Sequence, residues 1–472
     1  MYKKEIEDYI DAHREEMIED ICTLCRINSE KMPGAKGKPY GEGAFQALRT
    51  ALGMAQAYGF EVRSYDNYVG TVDLNQGKPQ LDILAHLDVV PAGDGWTETS
   101  PFEPVIKEGR LFGRGTADDK GPAVAALYAM RAVKDLAIPL SANTRLILGT
   151  DEECGSSDIR HYYSQEEEAP MTFSPDADFP VINIEKGRLE GHFKASFQAS
   201  GEIPRLVRME AGVKANVVPG KAMALVEGVD LQTLEETAAV TGKETGVTFS
   251  FEEDFPVISV TAQGQGAHAS GPQAGKNALT GLLLYLIRLP LADCPQMDRV
   301  KGLLRLFPHG DTWGRAAGIA MEDELTGPLT LAFSMLTIDS GSMEGVFDSR
   351  CPLCANEENV LKVVKEAMAR EDITLENDSM IPPHHVDEES HFVKTLLSVY
   401  EDYTGLKGRC ESIGGGTYVH TLKNGVAFGS TFPGTDNRMH GADEFAVVEE
   451  LVLSAKIFAQ VIVELCSSVI SY

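Results

Sequence analysis

"LDILAHLDVVP", residues 81–91, is an apolar run that closes on His86 and Asp88. Its composition makes it a strand candidate, and its neighbours decide the fold. Before it lie two more strand-like stretches, "EVRSY" (61–65) and "YVGTVDL" (68–74). These follow a helix-like "GEGAFQALRTALGMAQAYGF" (41–60), and residues 4–26 form an amphipathic pattern expected to be one helix. After it, a helical run begins at Gly121, and "TRLILGT" (144–150) is again strand-like. Alternation of this kind predicts an α/β fold, a three-layer domain with a mostly parallel sheet and helices on both faces.

The middle of the chain has another texture. "LEGHFKASFQAS" (189–200), "AMALVEGV" (222–229), "FPVISVTAQG" (255–264) and "LTLAFSMLTIDS" (329–340) are strand-like, with helical runs between them. This suits an inserted α+β domain, compatible with two similar halves. The Pro-rich "DSMIPPHHVDEES" (378–390) punctuates its end, and helical periodicity returns at "HFVKTLLSVYEDYTG" (391–405). The expected organisation is one domain whose first part covers 1–184 and second part 384–472, with another domain inserted over 185–383.

Length and charge bound the function. A chain of 472 residues is long for one core and favours two or three domains. Its 71 acidic against 42 basic residues give a formal charge of -29, which repels phosphate backbones and argues against nucleic acid. The N-terminus lacks an apolar core of signal-peptide length, and charged residues or Pro interrupt the most apolar later runs. The expectation is a cytoplasmic protein with no membrane partner. Two C-x-x-C pairs, Cys22/Cys25 and Cys351/Cys354, raise the alternative of a zinc ribbon. The first pair shares a helical face with Met17 and Ile21, and a strand through the second would point its cysteines to opposite faces. Core packing is the preferred reading of both pairs, and of Cys154.

Chemistry-bearing residues gather at loop positions. On a strand, i and i+2 share a face, so the Asp88 carboxylate is expected to accept a hydrogen bond from the His86 ring and orient it as a metal ligand. "GRGTADDKG" (113–121) places Asp118 between a glycine-dense run and a helix start. "GTDEECGSSD" (149–158) sets Asp151, Glu152 and Glu153 where a strand ends, the usual place for ligand sites in open α/β sheets. Asp176 stands in "TFSPDADFPVINIEKG" (172–187), and His440 in "FPGTDNRMHGADE" (432–444). Each pattern alone is explained by a solvated turn or an acidic helix start. Together, mixed His and carboxylate groups suit zinc, manganese or a related ion rather than calcium, and one aspartate bridging two ions would account for Asp118.

"HLDVVP", "GRGTADDKG", "DEECGSSD", "SPDADFP" and "MHGADE" occur here in that order, with "GQGAHASGPQAGKNAL" (264–279) in the inserted region. This set resembles the co-catalytic metallopeptidase family of aminoacylases, glutamate carboxypeptidases and carnosinases, and within it the bacterial dipeptidase V branch. It spans His86 to Glu444, most of the chain.

The resemblance implies one ion on His86, Asp118 and Asp176, and a second on Asp118, Glu153 and His440. The ions would be Zn2+ first, with Mn2+ or Co2+ as the other options. It implies Glu152 as general base acting on a water that bridges the two ions, with Asp88 and His268 also in the catalytic set. A cis peptide is implied at Asp118–Asp119. His268 would face the oxyanion, while Asn216, Arg350, Gly415 and Gly416 would hold a small peptide substrate with a free C-terminal carboxylate. It further implies that 1–184 and 384–472 form a catalytic domain, that 185–383 is an inserted α+β lid domain that closes over the substrate, and that the chain is a monomer. The expected activity is a metal-dependent dipeptidase; the alternative is an N-acyl-amino-acid deacylase of the same family.

Overall fold

The computed structural model describes residues 2–467. They fall into two compact units, one of residues 2–184, 385–412 and 416–467, the other of residues 185–384 and 413–415.

The first unit is built on a nine-stranded sheet whose centre is parallel. Strands β1 (Pro79–His86), β2 (Asn143–Gly149) and β3 (Met171–Ser174) run side by side in the order β2-β1-β3, and Gly425–Ala427 adds parallel to β3. Beyond β2, Val69–Asp73 and Glu61–Tyr65 pair antiparallel, and Val181–Glu185 is antiparallel to Gly425–Ala427 on the other flank. Period-two geometry splits the strands' side chains between two cores. Ile83, Ala85, Leu146 and Leu148 enter a large core with the helices Lys120–Asp135 and Val448–Cys466, whereas Leu84 and Ile147 pack with Ile159, Tyr162 and Tyr418 on the opposite face. The sheet is therefore covered on both sides, which is why apolar residues of these strands face both ways, and the buried Asp82 of β1 pairs with Arg145 of β2.

Two local expectations are corrected. Residues 4–26 form two helices, Lys3–Ala12 and Arg14–Cys25, interrupted at His13, whose backbone leaves helical geometry (ψ 11°). The cysteines also divide. Cys22 and Cys25 are buried in the second helix as expected, but Cys154 and Cys354 are exposed. The strand before Cys354 stops at Cys351 and the chain turns outward, while Cys154 follows Glu152 and Glu153 in an exposed turn.

The second unit is an eight-stranded antiparallel sheet that is continuous from edge to edge. Its strands β4 (Gly187–Ser196), β5 (Thr330–Ile338) and β6 (Ser342–Cys351) lie in the order β5-β6-β4. Odd-numbered residues of β4 and β6, among them Leu189, Phe193, Phe347 and Cys351, enter a core shared with the helices Ala278–Leu286 and Pro295–Leu306. Their even-numbered residues face the other way.

Candidate metal centre

Three adjacent parallel strands end at one edge of the first sheet, and each delivers a ligand there. β1 ends on His86, β2 runs into the turn that carries Glu152 and Glu153, and β3 is followed by Asp176. Asp118 precedes the helix Lys120–Asp135, held close by a tight approach at Gly121, where a Cβ would lie 2.0 Å from the Thr116 carbonyl oxygen. Asp119 does not cap that helix. Its carboxylate accepts instead from the His86 backbone N–H at 3.0 Å, fixing the end of β1.

The five groups form two clusters that share one residue. His86, Asp118 and Asp176 make one, and Asp118, Glu153 and His440 the other, with the ligating atoms of each within 4.8 Å of one another. Asp118 Oδ1 lies 2.9 Å from His86 Nε2, and its Oδ2 lies 2.9 Å from His440 Nε2. Asp176 Oδ2 is 3.5 Å from the His86 nitrogen, and Glu153 Oε1 is 3.3 Å from that of His440.

These side chains fit divalent ions. His86 Nε2 and Glu153 Oε1 are buried without a properly directed hydrogen bond, although carboxylates or an imidazole crowd them at short range. Atoms arranged around a common point but not along each other's N–H directions are what ligands of one cation present. Without a cation the cluster is electrostatically frustrated. Burial drives Asp176 up to about 7 and Glu152 well above the ordinary glutamate value, while the Asp118 and Glu153 carboxylates lift His440 to about 11.

The expected orientation of His86 by the Asp88 carboxylate is corrected in detail. β1 stops at His86, so the strand alternation does not reach Asp88. The ring Nδ1 donates to the Asp88 backbone carbonyl at 3.0 Å. The Asp88 carboxylate stays 3.5 Å from that ring nitrogen and accepts from the backbone N–H of Glu152 at 3.2 Å and of Glu153 at 3.1 Å. One aspartate thus sets both a histidine ligand and the turn bearing the glutamates.

Other supporting groups escaped the sequence reading. Glu444 accepts through one oxygen from the backbone N–H groups of Gly115, Ala117 and Asp118, and pairs with Arg114 through the other. Asp443 accepts from Thr97 and Glu98. Tyr418 donates to Asp158, which also accepts from the N–H groups of Thr150 and Asp151 ahead of Glu152. The signal available was an acid inside an apolar stretch, as in "DEFAVV" (443–448), since a buried carboxylate must find donors. The peptide between Asp118 and Asp119 is cis, as is that between Gly429 and Ser430.

The remaining sequence-predicted residues divide between the two units. Gly416 stands in the first unit beside the 3-10 turn Tyr418–Thr421, and Asn216, His268, Arg350 and Gly415 belong to the second. There, Val217 and His268 pair across a short antiparallel ladder, and the Asn216 carbonyl accepts from the Ala269 N–H at 2.9 Å. His268 Nδ1 accepts from the Ser270 backbone N–H at 3.2 Å and lies 2.7 Å from the Ser270 Oγ. Arg350 is 6% exposed and donates to the Gly414 carbonyl at 2.5 Å.

A carboxylate that offers one oxygen to each of two His-and-acid clusters at the end of a parallel sheet points to a two-metal hydrolase. The family model for peptidase family M20/M25/M40 matches residues 83–464. The chain belongs to that family. Among M20 relatives, it is 36% identical over 457 residues to "Putative dipeptidase YtjP" of Bacillus subtilis (strain 168), covering 96% of this chain and 97% of the relative. It is 34% identical over 465 residues to the Beta-Ala-Xaa dipeptidase of Lactobacillus delbrueckii subsp. lactis, at 96% and 97% coverage. The fold of this M20 chain matches that of human carnosine dipeptidase 1 with a TM-score of 0.60 and 15% identity over 98% of this chain and 99% of the other.

Proposed function

We propose that this chain is a metal-dependent dipeptidase that hydrolyses short peptides carrying a free C-terminal carboxylate. The observation that carries the reading is Asp118, with one oxygen 2.9 Å from His86 and the other 2.9 Å from His440. Two full-length relatives bearing dipeptidase names support this choice of substrate over N-acyl amino acids.

Two divalent ions, when bound, supply Lewis acidity at the scissile carbonyl and acidify the attacking water. The assignment gives one ion to His86, Asp118 and Asp176 and the other to Asp118, Glu153 and His440. Zinc suits this donor set first, with manganese or cobalt next. Glu152 stands outside both clusters, on a turn fixed by Asp88, and so is the carboxylate to take the proton from water and return it to the leaving amine. His268, its ring held by Ser270, is the group to donate to the oxyanion, and Arg350 the group to bind the substrate carboxylate. Asn216, Gly415 and Gly416 complete the proposed peptide-binding groups, with residues 185–383 acting as the lid domain.

No helix among the described residues is long and apolar enough to cross a membrane. With a formal charge of -29, we place the enzyme in the cytoplasm as a monomer that binds neither membrane nor nucleic acid.

The deciding experiment is a panel of dipeptides, including β-Ala-His and Leu-Leu, set beside matched N-acetyl amino acids. Each is assayed in chelator and after zinc or manganese is restored. Metal-dependent cleavage of the dipeptides is expected; cleavage of the N-acetyl compounds alone would overturn the proposal.

A further inference from the structure

On the face of the second sheet that points away from its core, charged residues stand like opposite like. The register of β4 against β6 sets Arg188 directly across from Arg350, and Glu190 directly across from Asp348. Like charges opposed across a ladder are destabilising, so this register needs compensation. Asp348 supplies it. Its side chain is 0% exposed, and it accepts from Arg350 Nε at 2.6 Å and Nη2 at 3.3 Å while also accepting from Arg188 Nε at 2.8 Å. Glu190 pairs with the outer side of Arg188 and lies a third exposed, where water screens it.

This arrangement is costly for a merely structural role. A carboxylate and a guanidinium on the non-core face of a sheet are nearly or fully sealed from water, and buried ion pairs seldom repay their desolvation. What it gives is a guanidinium fixed in plane. Asp348 engages the Nε–Nη2 side of Arg350 and the Gly414 carbonyl takes one Nη1 proton. Three of the five N–H donors are thus occupied within the protein, and two remain for a ligand. Because Asp348 divides its charge between two arginines, Arg350 keeps positive charge to offer. The same frame reaches His268: a Cβ at Gly414 would lie 2.9 Å from Ser270 Cβ, and the Ser270 N–H fixes the His268 ring.

We infer that Asp348 and Arg188 are positioning residues that make Arg350 a selective anchor for the substrate's terminal carboxylate. The inference rests on the dipeptidase reading, in which Arg350 contacts that carboxylate. Asp348 holds the guanidinium plane, and Arg188 prevents Asp348 from neutralising it. Selectivity for free-carboxylate peptides over their amides is therefore set one layer behind the contacting residue.

The test uses the metal-loaded full chain, the best-cleaved dipeptide and its C-terminal amide, with the amide's Ki read where its turnover is too slow for a KM. Asp348→Asn is expected to raise KM for the dipeptide by about tenfold or more, the size of one charge-assisted contact, with the amide's KM or Ki and kcat little changed. Arg188→Gln should move KM in the same direction, and Arg188→Lys should recover part of the loss. The Arg188 pair decides alone if Asp348→Asn does not fold. Equal losses for dipeptide and amide, or a fall in kcat for both, would show that these residues only hold the strands and would overturn the inference. Arg350→Lys separates the two levels: if it too affects dipeptide and amide equally, the anchor role of Arg350 fails, and this inference with it.

Discussion

Arg114 and Glu444, 330 residues apart in sequence, form an ion pair of 2.5 Å whose side chains are 1% and 0% exposed. The pair joins the loop that carries Asp118 to the segment that carries His440, two ligands from opposite ends of the first unit's chain. Glu444 spends its second oxygen on three N–H groups of the Asp118 loop, so both of its oxygens are engaged.

Glu444→Gln keeps the shape and removes the charge. It leaves Arg114 as a buried, uncompensated cation, a change that costs about 3–5 kcal/mol. Urea unfolding of the metal-free chain should show that loss, and the variant should retain less metal after dialysis because the Asp118 loop is no longer tied down. A stability change below about 1 kcal/mol would mean that the pair is not the strut described.

Glu152 and Glu153 are neighbours with different expected phenotypes. Glu152→Ala should keep both ions by metal analysis and lose about 10²–10⁴ in kcat, the range for a general acid–base group. Glu153→Ala should lose an ion. Near-normal turnover in the Glu152 variant would remove it from the role of base.

Metal removal should be visible without any substrate. The chelated protein gathers three carboxylates and two imidazoles around no cation, and Asp118, shared by both clusters, is 4% exposed. Ions that bind only the folded chain stabilise it by about 4 kcal/mol at a thousandfold excess over Kd. The thermal midpoint should therefore fall in chelator and recover with zinc or manganese. An unchanged midpoint would sink the assignment of these groups to a metal centre.

Much of this architecture was legible because β1 and β2 carry apolar residues on both faces, and because histidine or acids stand where the three strands end or just beyond. The motif order supplied the ligand set. The orientation of Asp88 was not legible, because it depends on where β1 stops, and strand ends are set by tertiary pairing rather than by local composition. The break at His13 was missed for a similar reason: the apolar stripe continues through it from Ile10 to Met17. Glu444, Asp158 and Asp348 were passed over since a carboxylate's burial is invisible until its donors, from distant segments, are in place.

Gly149, the last residue of β2, offers the sharpest test of how the glutamate turn is held. A Cβ there would lie 2.0 Å from the Tyr418 hydroxyl oxygen and 2.6 Å from Asp158 Oδ2. That hydroxyl donates to Asp158 at 2.5 Å, and the same Asp158 oxygen accepts from Thr150 and Asp151 just before Glu152. Gly149→Ala should cost about 1–3 kcal/mol through overpacking, and should lower kcat because the displaced Asp158 releases the turn. Tyr418→Phe alone should cost about 1–3 kcal/mol by depriving Asp158 of a donor. Combining them removes the oxygen that the new methyl strikes, so the double variant should be less destabilised than the sum of the two single changes. Additive losses in the thermodynamic cycle would show that the methyl is accommodated elsewhere and that Tyr418 does not clamp this turn.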